Sequence, residues 1–490
     1  MMLKGFFWAV PGLAVTLLAG CAAQTSAETS AAPVAAVERG APNVLFIAID
    51  DLRPDLGVYG HPVAHTPNMD AFAQTALLFD RAFVSQAVCG PSRAALMTGL
   101  RPDTTGIDTL NEPVSENAPN AVTMSQMFKN GGYESIGIGK IYHHADDDME
   151  GWINRLTDHI YETRRADRRA GIDKLSNVRF DDIEEMPDTM NVRDAQVELE
   201  RLGTSGDPFF MAVGIHRPHL PFNSGAEDWA QYEGTTIPGP INPQGQKGAP
   251  EWALVSYEVW NYEDTPEEAP MPTAKADELR RAYLAAVTYA DRMVGELLSD
   301  LEGQGLADNT IVVLWSDHGW KIADHNAWAK HSTADIDIKI PMMIRVPGTT
   351  TGGTRSGAFV EAVDIYPTLA ELTGLPTPDN LEGLSFVPLL ASPDRDWKEA
   401  AFSQYGRNMR SEARGYGRGT GYTVRTETYR YTAWKREQNG ETVAEELYDL
   451  TRDPNESTNV AQSAQYRDWL REARALDKRG WRGVRDNVKG

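Results

Sequence analysis

Continuous apolar runs recur along the first three quarters of the chain, and most of them are followed directly by a polar residue. They cover residues 44–49, 135–139, 208–214, 310–315 and 340–346. Runs of this length without polar alternation are typical of strands buried on both faces of a parallel sheet. Helical patterns lie between them, most clearly over residues 274–301. The alternation predicts an α/β fold with a mainly parallel sheet.

Local signals predict two further helices. Pro67 near a first turn favours a helix over residues 66–78. Gly90 and Pro91 predict a turn, and Ser92 is then the expected N-cap of a helix that begins at Arg93. Cys89 would lie just before that helix, where free backbone N–H groups favour an anion.

The pattern changes from about residue 395. Short strand-like segments follow at 422–426, 429–434 and 446–450, and a helix is expected from about residue 464. These elements predict a small C-terminal α+β subdomain, with an antiparallel sheet and one helix.

The N-terminus reads as an export signal. Lys4 precedes an apolar stretch over residues 6–18, which is too short for a membrane span. The stretch ends in Leu-Ala-Gly before Cys21, which resembles a bacterial lipobox and predicts a lipid on the Cys21 sulfur. The expected location is the periplasm or the cell surface, with the membrane reached only by the anchor; the alternative is a plain secretory signal cut nearby. The division of the chain is then signal 1–20, flexible tether 21–42, main domain 43–394 and C-terminal subdomain 395–490.

Composition narrows the classes of partner. The 490 residues are enough for a large core, and 41% hydrophobic with 24% charged residues is ordinary for a globular protein. A net charge of −23 argues against nucleic acid or an anionic membrane surface as a partner. An anionic ligand would need a basic pocket within this acidic surface.

Cysteine is the scarcest residue that carries chemistry. The chain has two, and Cys21 belongs to the export signal, so Cys89 has no intramolecular disulfide partner in the mature protein. Exported proteins meet an oxidising compartment, so a lone thiol there is either buried and inert or chemically used. From the residues alone, the buried and inert interpretation is favoured.

Two acidic motifs follow predicted strands. Asp50 and Asp51 end the first apolar run, and Asp317 and His318 follow the run at 310–315. Ligand sites of open α/β sheets gather at such strand ends. Adjacent carboxylates repel each other and favour a cation, although the pair alone is also typical of a turn. Carboxylates suit Ca²⁺, while a histidine keeps Mg²⁺, Mn²⁺ and Zn²⁺ open.

Most of the ten histidines also cluster beyond predicted strands. Lys140 and 143–144 follow one strand, His216 and His219 follow another, and 330–331 come after the second acidic motif. A single histidine of this kind is more often structural than catalytic. Several of them, each just beyond a strand, indicate a site.

The residues around Cys89 resemble a known signature. The sequence Cys-Gly-Pro-Ser-Arg at 89–93, with Thr-Gly at 98–99, resembles the Cys-x-Pro-Ser-Arg…Thr-Gly motif of type I sulfatases. In that family the cysteine is oxidised to formylglycine, the catalytic aldehyde. Residues 101–106 and 142–148 are similar to the iduronate-2-sulfatase branch, which also has histidine at the position of His318. The resemblance covers about residues 43–460 and implies an alkaline-phosphatase-like fold.

The resemblance implies specific site residues. One Ca²⁺ would be held by Asp50, Asp51, Cys89, Asp317 and His318. The sulfate would be surrounded by Arg93, Lys140, His143, His216 and Lys330. The remaining motif histidines are expected beside these groups or near the substrate; they are His144, His219, His325 and His331. A formylglycine-generating enzyme is the implied partner in maturation.

The resemblance also implies catalytic roles. One hydroxyl of the hydrated aldehyde at position 89 attacks the sulfate ester while Asp317 accepts its proton. Arg93, with the cation, stabilises the nucleophile and the sulfuryl oxygens. His216, assisted by Lys330, protonates the leaving alcohol. His143 takes the proton of the second hydroxyl, which expels sulfate.

A sulfated carbohydrate is the implied substrate, and a 2-O-sulfate on a uronic acid or related sugar is favoured. The chain departs from the branch at 322–325, at Ala327 and at 333–335, where we expect substrate contacts. The glycan is therefore left open between a glycosaminoglycan and an algal polysaccharide.

Two alternatives remain. A phosphoester or phosphonate hydrolase would share the scaffold, but such enzymes commonly have threonine or serine at position 89. A non-catalytic lipoprotein that binds sulfated glycan would lack a ligand or a base, and the sequence lacks neither. The sequence predicts no oligomeric state.

Overall fold

A computed structural model describes residues 40–255, 257–267, 269–410 and 415–488. The predicted signal, most of the tether and the lipidation site Cys21 lie outside the described residues and stay predictions. Within the described part of the chain, no helix combines the length and apolar character needed to cross a membrane.

The strands and helices alternate as the pattern predicts. In chain order the strands are β1 (Asn43–Ile49), β2 (Leu77–Phe83), β3 (Glu134–Gly139), β4 (Asn154–Arg155), β5 (Arg179–Phe180), β6 (Phe209–Ile215), β7 (Ser224–Gly225), β8 (Thr310–Ser316), β9 (Lys339–Arg345), β10 (Thr354–Glu361), β11 (Ala400–Arg410), β12 (Gly415–Thr426), β13 (Tyr429–Arg436) and β14 (Thr442–Asp449). The helices are α1 (Pro67–Ala73), α2 (Cys89–Thr98), α3 (Pro102–Thr105), α4 (Val114–Asn117), α5 (Met124–Asn130), α6 (Ile160–Ala170), α7 (Pro187–Ser205), α8 (Ala226–Ala230), α9 (Thr273–Gly303), α10 (Asp335–Ile338), α11 (Ile365–Thr373), α12 (Val387–Ala391) and α13 (Arg467–Arg485).

The central sheet has eight strands in the order β10-β2-β9-β8-β1-β6-β3-β4. Every neighbouring pair is parallel except the two that β9 forms with β2 and β8. The prediction of a mainly parallel sheet is therefore confirmed. Each apolar run named above forms a strand, and the last of them supplies the antiparallel member.

Both faces of the central sheet are covered. Leu45 and Ile47 of β1 pack in a core with α7 and α9, whereas Phe46 packs in a second core with α2, α5 and α11. All three side chains are fully buried. Each contributes about 1.5–3 kcal/mol by leaving water, which is why the run has no polar alternation.

The predicted helix at 66–78 is wrong at its end. The helix α1 stops at Ala73, and β2 begins at Leu77. Leu77 and Leu78 pair with β9 on one side and with β10 on the other. Sheet pairing therefore overrides a local pattern that is equally compatible with another helical turn.

The predicted start of the next helix is also wrong. The helix α2 begins at Cys89, with Val88 rather than Ser92 at its N-cap. Pro91 fits in the first turn because that turn has no intrahelical acceptor for its missing N–H. The Ser92 hydroxyl instead donates to the carbonyl oxygen of Asp317 at 2.6 Å. This contact ties α2 to the loop after β8.

The C-terminal part forms a four-stranded antiparallel sheet in the order β11-β12-β13-β14. The helix α13 packs on it, with Leu476 against Val424 and Ala473 in a core with Tyr431. The predicted α+β architecture is confirmed. The boundary between residues 394 and 395 stays a prediction.

Candidate functional site

The candidate site lies at the carboxyl edge of the central sheet. Asp50 follows β1, Asp317 follows β8, Lys140 follows β3 and His216 follows β6. These four strands are adjacent in the order β8-β1-β6-β3, so their carboxyl ends bring distant motifs together. Cys89, in the first turn of α2, reaches the same edge.

Two local features fix the ends of β3 and β6. Gly214 lies so close to Lys140 that an added Cβ would be 2.2 Å from the Lys140 carbonyl carbon. Only glycine allows this approach. The buried Asp188 carboxylate of α7 accepts the backbone N–H groups of His216 at 2.7 Å and Arg217 at 3.0 Å. The backbone that carries Lys140 and His216 is therefore held from both sides.

Four predicted metal ligands form one buried cluster. A donor atom of each of Asp50, Asp51, Cys89 and His318 lies within 4.8 Å of every other. His318 Nδ1 is 3.3 Å from Asp51 Oδ1, and His318 Nε2 is 3.3 Å from Cys89 Sγ. Asp317 borders the cluster: its Oδ1 accepts the Asp51 backbone N–H at 3.0 Å, and its Oδ2 is 3.7 Å from His318 Nε2.

Three predicted cations surround these carboxylates. Buried Arg93 donates to Asp317 Oδ2 at 2.8 Å and to Asp50 Oδ1 at 3.2 Å. The Lys140 ammonium group contacts Asp50 Oδ2. The Lys330 ammonium group lies 3.1 Å from both carboxylate oxygens of Asp51.

The electrostatics of the cluster suit a cation. Burial raises the pKa of Asp51 well above its ordinary value, although Lys330 and His318 oppose the shift. Burial also raises the pKa of Cys89, to about 12, and Asp50 adds to this effect. The thiol is therefore protonated at neutral pH and is a poor nucleophile. Two fully buried carboxylates beside an imidazole fit one divalent metal ion, and the oxygen donors favour a hard one.

Histidines and arginines line a cleft of about 480 Å³ next to the cluster. We call this the histidine cleft, and its charged and imidazole groups are Lys140, His143, His144, Asp158, Arg164, Asp167, Arg168, Asp173, His216, Arg217 and His219. Four permanent cations and four histidines face three carboxylates. The cleft is the basic pocket that an anionic ligand of this acidic protein requires.

Within the histidine cleft, the catalytic histidine candidates differ in environment. His216 Nε2 lies 2.9 Å and 3.0 Å from the two oxygens of Asp158. Burial favours protonated Asp158, but the His216 imidazole outweighs it and holds the pKa of Asp158 well below its usual range. Burial, followed by Lys140, lowers the pKa of His143 to about 3, so its ring is neutral. His219 reaches within 3.8 Å of Asp51, and His144 bonds the Leu110 carbonyl oxygen.

The sequence did not identify two acidic residues that lie beside the site. One is Asp158. The other is Glu258, whose Oε2 lies 3.3 Å from the Lys330 ammonium group and whose Oε1 contacts His331 Nε2. His331 Nδ1 is 2.8 Å from the Tyr405 hydroxyl. Each acid is isolated from any motif and meets its partner only in the folded chain, so no sequence signal marks it.

The positions that depart from the branch do not line the histidine cleft. That they contact the substrate stays a prediction. Asp324 accepts from Arg53 at 2.6 Å, and His325 Nδ1 is 3.2 Å from the Asn242 amide. Asp335 accepts from Arg425 of β12 at 2.6 Å. These residues hold separate parts of the fold together.

The carboxyl edge of this sheet carries a buried acidic cluster that suits a metal ion, and a basic cleft lies beside it. This arrangement defines an alkaline-phosphatase-like hydrolase. Residues 42–375 match the sulfatase family, and residues 323–478 match the C-terminal region of N-sulphoglucosamine sulphohydrolase. The chain belongs to the sulfatase family and is an enzyme that hydrolyses sulfate esters.

Individual relatives agree with this assignment. Human iduronate 2-sulfatase is 32% identical, with 86% of this chain and 92% of the human protein covered. A sulfatase of Formosa agariphila is 31% identical over 89% of this chain and 86% of its own length. A solved complex with its substrate D-glucosamine-2-N,6-O-disulfate shares the fold, with TM-score 0.71, 22% identity and coverage of 91% and 98%. So does a phosphonate monoester hydrolase of Agrobacterium radiobacter, with TM-score 0.73, 23% identity and coverage of 90% and 95%.

Proposed function

We propose that this sulfatase removes a 2-O-sulfate from a uronic acid or related unit of a sulfated glycan, using formylglycine made from Cys89. The observation that carries the proposal is the position of Cys89. Its Sγ lies in the acidic cluster 3.3 Å from His318, at the first turn of the helix that also carries Arg93. A group formed at this position would face the cation site and the basic residues at once.

Asp50, Asp51, Asp317, His318 and the modified residue 89 would hold one Ca²⁺. When bound, the cation supplies positive charge to the sulfuryl oxygens, and formylglycine supplies a hydrated aldehyde as nucleophile. Calcium is favoured because carboxylate oxygens dominate the donor set. One equivalent of calcium in the purified protein supports this assignment, and one equivalent of zinc contradicts it.

The side chains of this protein would divide the remaining work. Arg93, Lys140 and Lys330 place positive charge around the sulfate, where charge develops in the transition state. The bond to Asp158 keeps the His216 ring oriented, so that His216 delivers a proton to the leaving sugar oxygen. His143, which is neutral because burial and Lys140 lower its pKa, would take the proton of the second hydroxyl.

Regioselective assays test the proposed substrate. The disaccharide with a 2-O-sulfated uronic acid is expected to be desulfated at least about tenfold faster, by kcat/KM, than its 6-O-sulfated isomer. Sulfate release is measured by ion chromatography. A preference for the 6-O-sulfated isomer contradicts the 2-O assignment. Faster hydrolysis of a phosphonate monoester than of either sulfate ester contradicts the proposed reaction and favours the alternative hydrolase.

Glu258 is expected to position Lys330. In Glu258→Gln, the Lys330 ammonium group loses one of its two carboxylate contacts, so kcat should fall about 10–100-fold with little change in KM. If Glu258 acts through Lys330, the double variant with Lys330→Met should be no slower than Lys330→Met alone. Steady-state kinetics of the three variants measures this coupling.

The matched control is Glu263→Gln. Glu263 lies in the same segment, but its exposed side chain pairs only with exposed Lys174 among the described contacts. This variant should keep wild-type rates. Additive losses in the Glu258 and Lys330 double variant would contradict the positioning role.

A further inference from the structure

A second cleft, of about 650 Å³, lies beside the site and shares no lining residue with the histidine cleft. We call it the arginine cleft, and its principal residues are Asp108, Tyr257, Tyr405, Arg407, Arg410 and Arg418. Val88 and His331 also line it, and they are the chain neighbours of Cys89 and Lys330. The arginine cleft therefore lies next to the acidic cluster.

The charge of this cleft is positive. Three arginines face one carboxylate, in a protein whose net charge is −23. The Arg418 side chain is 58% exposed although it donates to Asp108 at 2.7 Å and its Nε lies 3.4 Å from Glu437. These two contacts use two of the three guanidinium nitrogens, and a further anion can approach the exposed third one.

The C-terminal sheet fixes the direction of these side chains. Arg418 of β12 lies directly opposite Asn408 of β11. Met409 is buried beneath the strand, so its neighbours Asn408 and Arg410 are turned outward and are exposed. Polar and basic groups are therefore presented on one side of this strand pair.

An aromatic wall completes the cleft. Tyr257 is 48% exposed, and its ring stacks on His331 with centroids 5.0 Å apart. His331 in turn bonds the Tyr405 hydroxyl. An exposed, anchored tyrosine beside arginines offers a ring face and polar donors together, a combination that suits a carboxylated or sulfated sugar ring.

We propose that the arginine cleft binds an acidic sugar unit adjacent to the one that loses sulfate, so that the enzyme prefers a polyanionic oligosaccharide to the isolated sulfated sugar. This proposal rests on the proposed function. In this proposal, Arg410 and Arg418 of the C-terminal sheet determine which substrate length and charge the enzyme prefers.

The test measures binding without turnover, in a Cys89→Ala background. The probes are a tetrasaccharide of alternating uronic acid and sulfated hexosamine with one 2-O-sulfate, and the isolated 2-O-sulfated uronic acid. The test protein carries Arg410→Gln and Arg418→Gln in addition to Cys89→Ala. Calorimetry should show the tetrasaccharide Kd rising about tenfold, with a weaker salt dependence, while the monosaccharide Kd stays within about twofold.

The matched control removes the same two charges elsewhere. Arg452 and Arg471 are 69% and 78% exposed, and Arg452→Gln with Arg471→Gln should leave both Kd values unchanged. An unchanged tetrasaccharide Kd in the cleft variant, or an equal rise in the control, overturns the proposal. If the wild-type chain binds the tetrasaccharide through these arginines but releases no sulfate from it, the arginine cleft stands and the proposed function fails.

Discussion

Replacing Cys89 with alanine is expected to reduce kcat for sulfate release by about 10⁴–10⁶-fold, the scale of losing a covalent nucleophile. The side chain is buried within the acidic cluster and contacts His318, so the proposed nucleophile would lie beside the cation site, and alanine removes it. Sulfate release from the 2-O-sulfated disaccharide, followed by ion chromatography over several hours, gives the rate.

Two controls accompany this prediction. The Cys89→Ala protein should still bind the sulfated tetrasaccharide, because Arg410 and Arg418 of the arginine cleft are untouched. It should also unfold within about 1–2 kcal/mol of wild type, since the substitution removes only the small polar end of one buried side chain. A variant that keeps a tenth or more of wild-type activity would show that position 89 carries no covalent step.

Replacing Arg93 with glutamine is expected to damage both stability and rate. The guanidinium group is fully buried and bonds Asp50 and Asp317 together. Removing one partner of a buried ion pair costs about 3–5 kcal/mol of the free energy of unfolding, because uncompensated carboxylates remain. The rate should fall about 10²–10³-fold, because a donor to the developing charge is lost. Denaturant unfolding and steady-state kinetics measure the two effects.

An exposed arginine pair provides the comparison. Arg355 contacts Asp80, and both side chains are about 40% exposed. Arg355→Gln should change the free energy of unfolding by less than about 1 kcal/mol, because solvent already screens this pair. If Arg93→Gln were as mild, Arg93 would not be the charge that holds the cluster together.

The sequence predicts the centre of the fold better than its edges. The strands β1, β6 and β8 are uninterrupted apolar runs, since helices cover both faces of the sheet and no position reaches water. The strand β2 was missed because Asp80 and Arg81 interrupt it and a helix pattern runs into it. This segment forms a strand because it pairs with β9 and β10, which lie far away in the sequence and leave no local signal.

Some residues of the candidate site could likewise be predicted from the sequence, and others required the structure. Asp50, Lys140, His216 and Asp317 were predictable because each directly follows a strand of one parallel sheet. Glu258 was not, because its partner His331 lies 73 residues away and the glutamate itself belongs to no motif. The arginine cleft needed the structure as well, since residues of β11 and β12 meet the neighbours of Cys89 and Lys330 only after folding.

The proposed reaction depends on the chemical state of residue 89, and peptide mass spectrometry of the protein purified from its own host tests that state most directly. The peptide containing Cys89 is expected to be lighter by about 18 Da than the unmodified thiol, because oxidation replaces sulfur with an aldehyde oxygen and removes two hydrogen atoms. The same preparation should release sulfate from the disaccharide. An unmodified thiol throughout a preparation that still cleaves the sulfate ester would contradict the formylglycine mechanism.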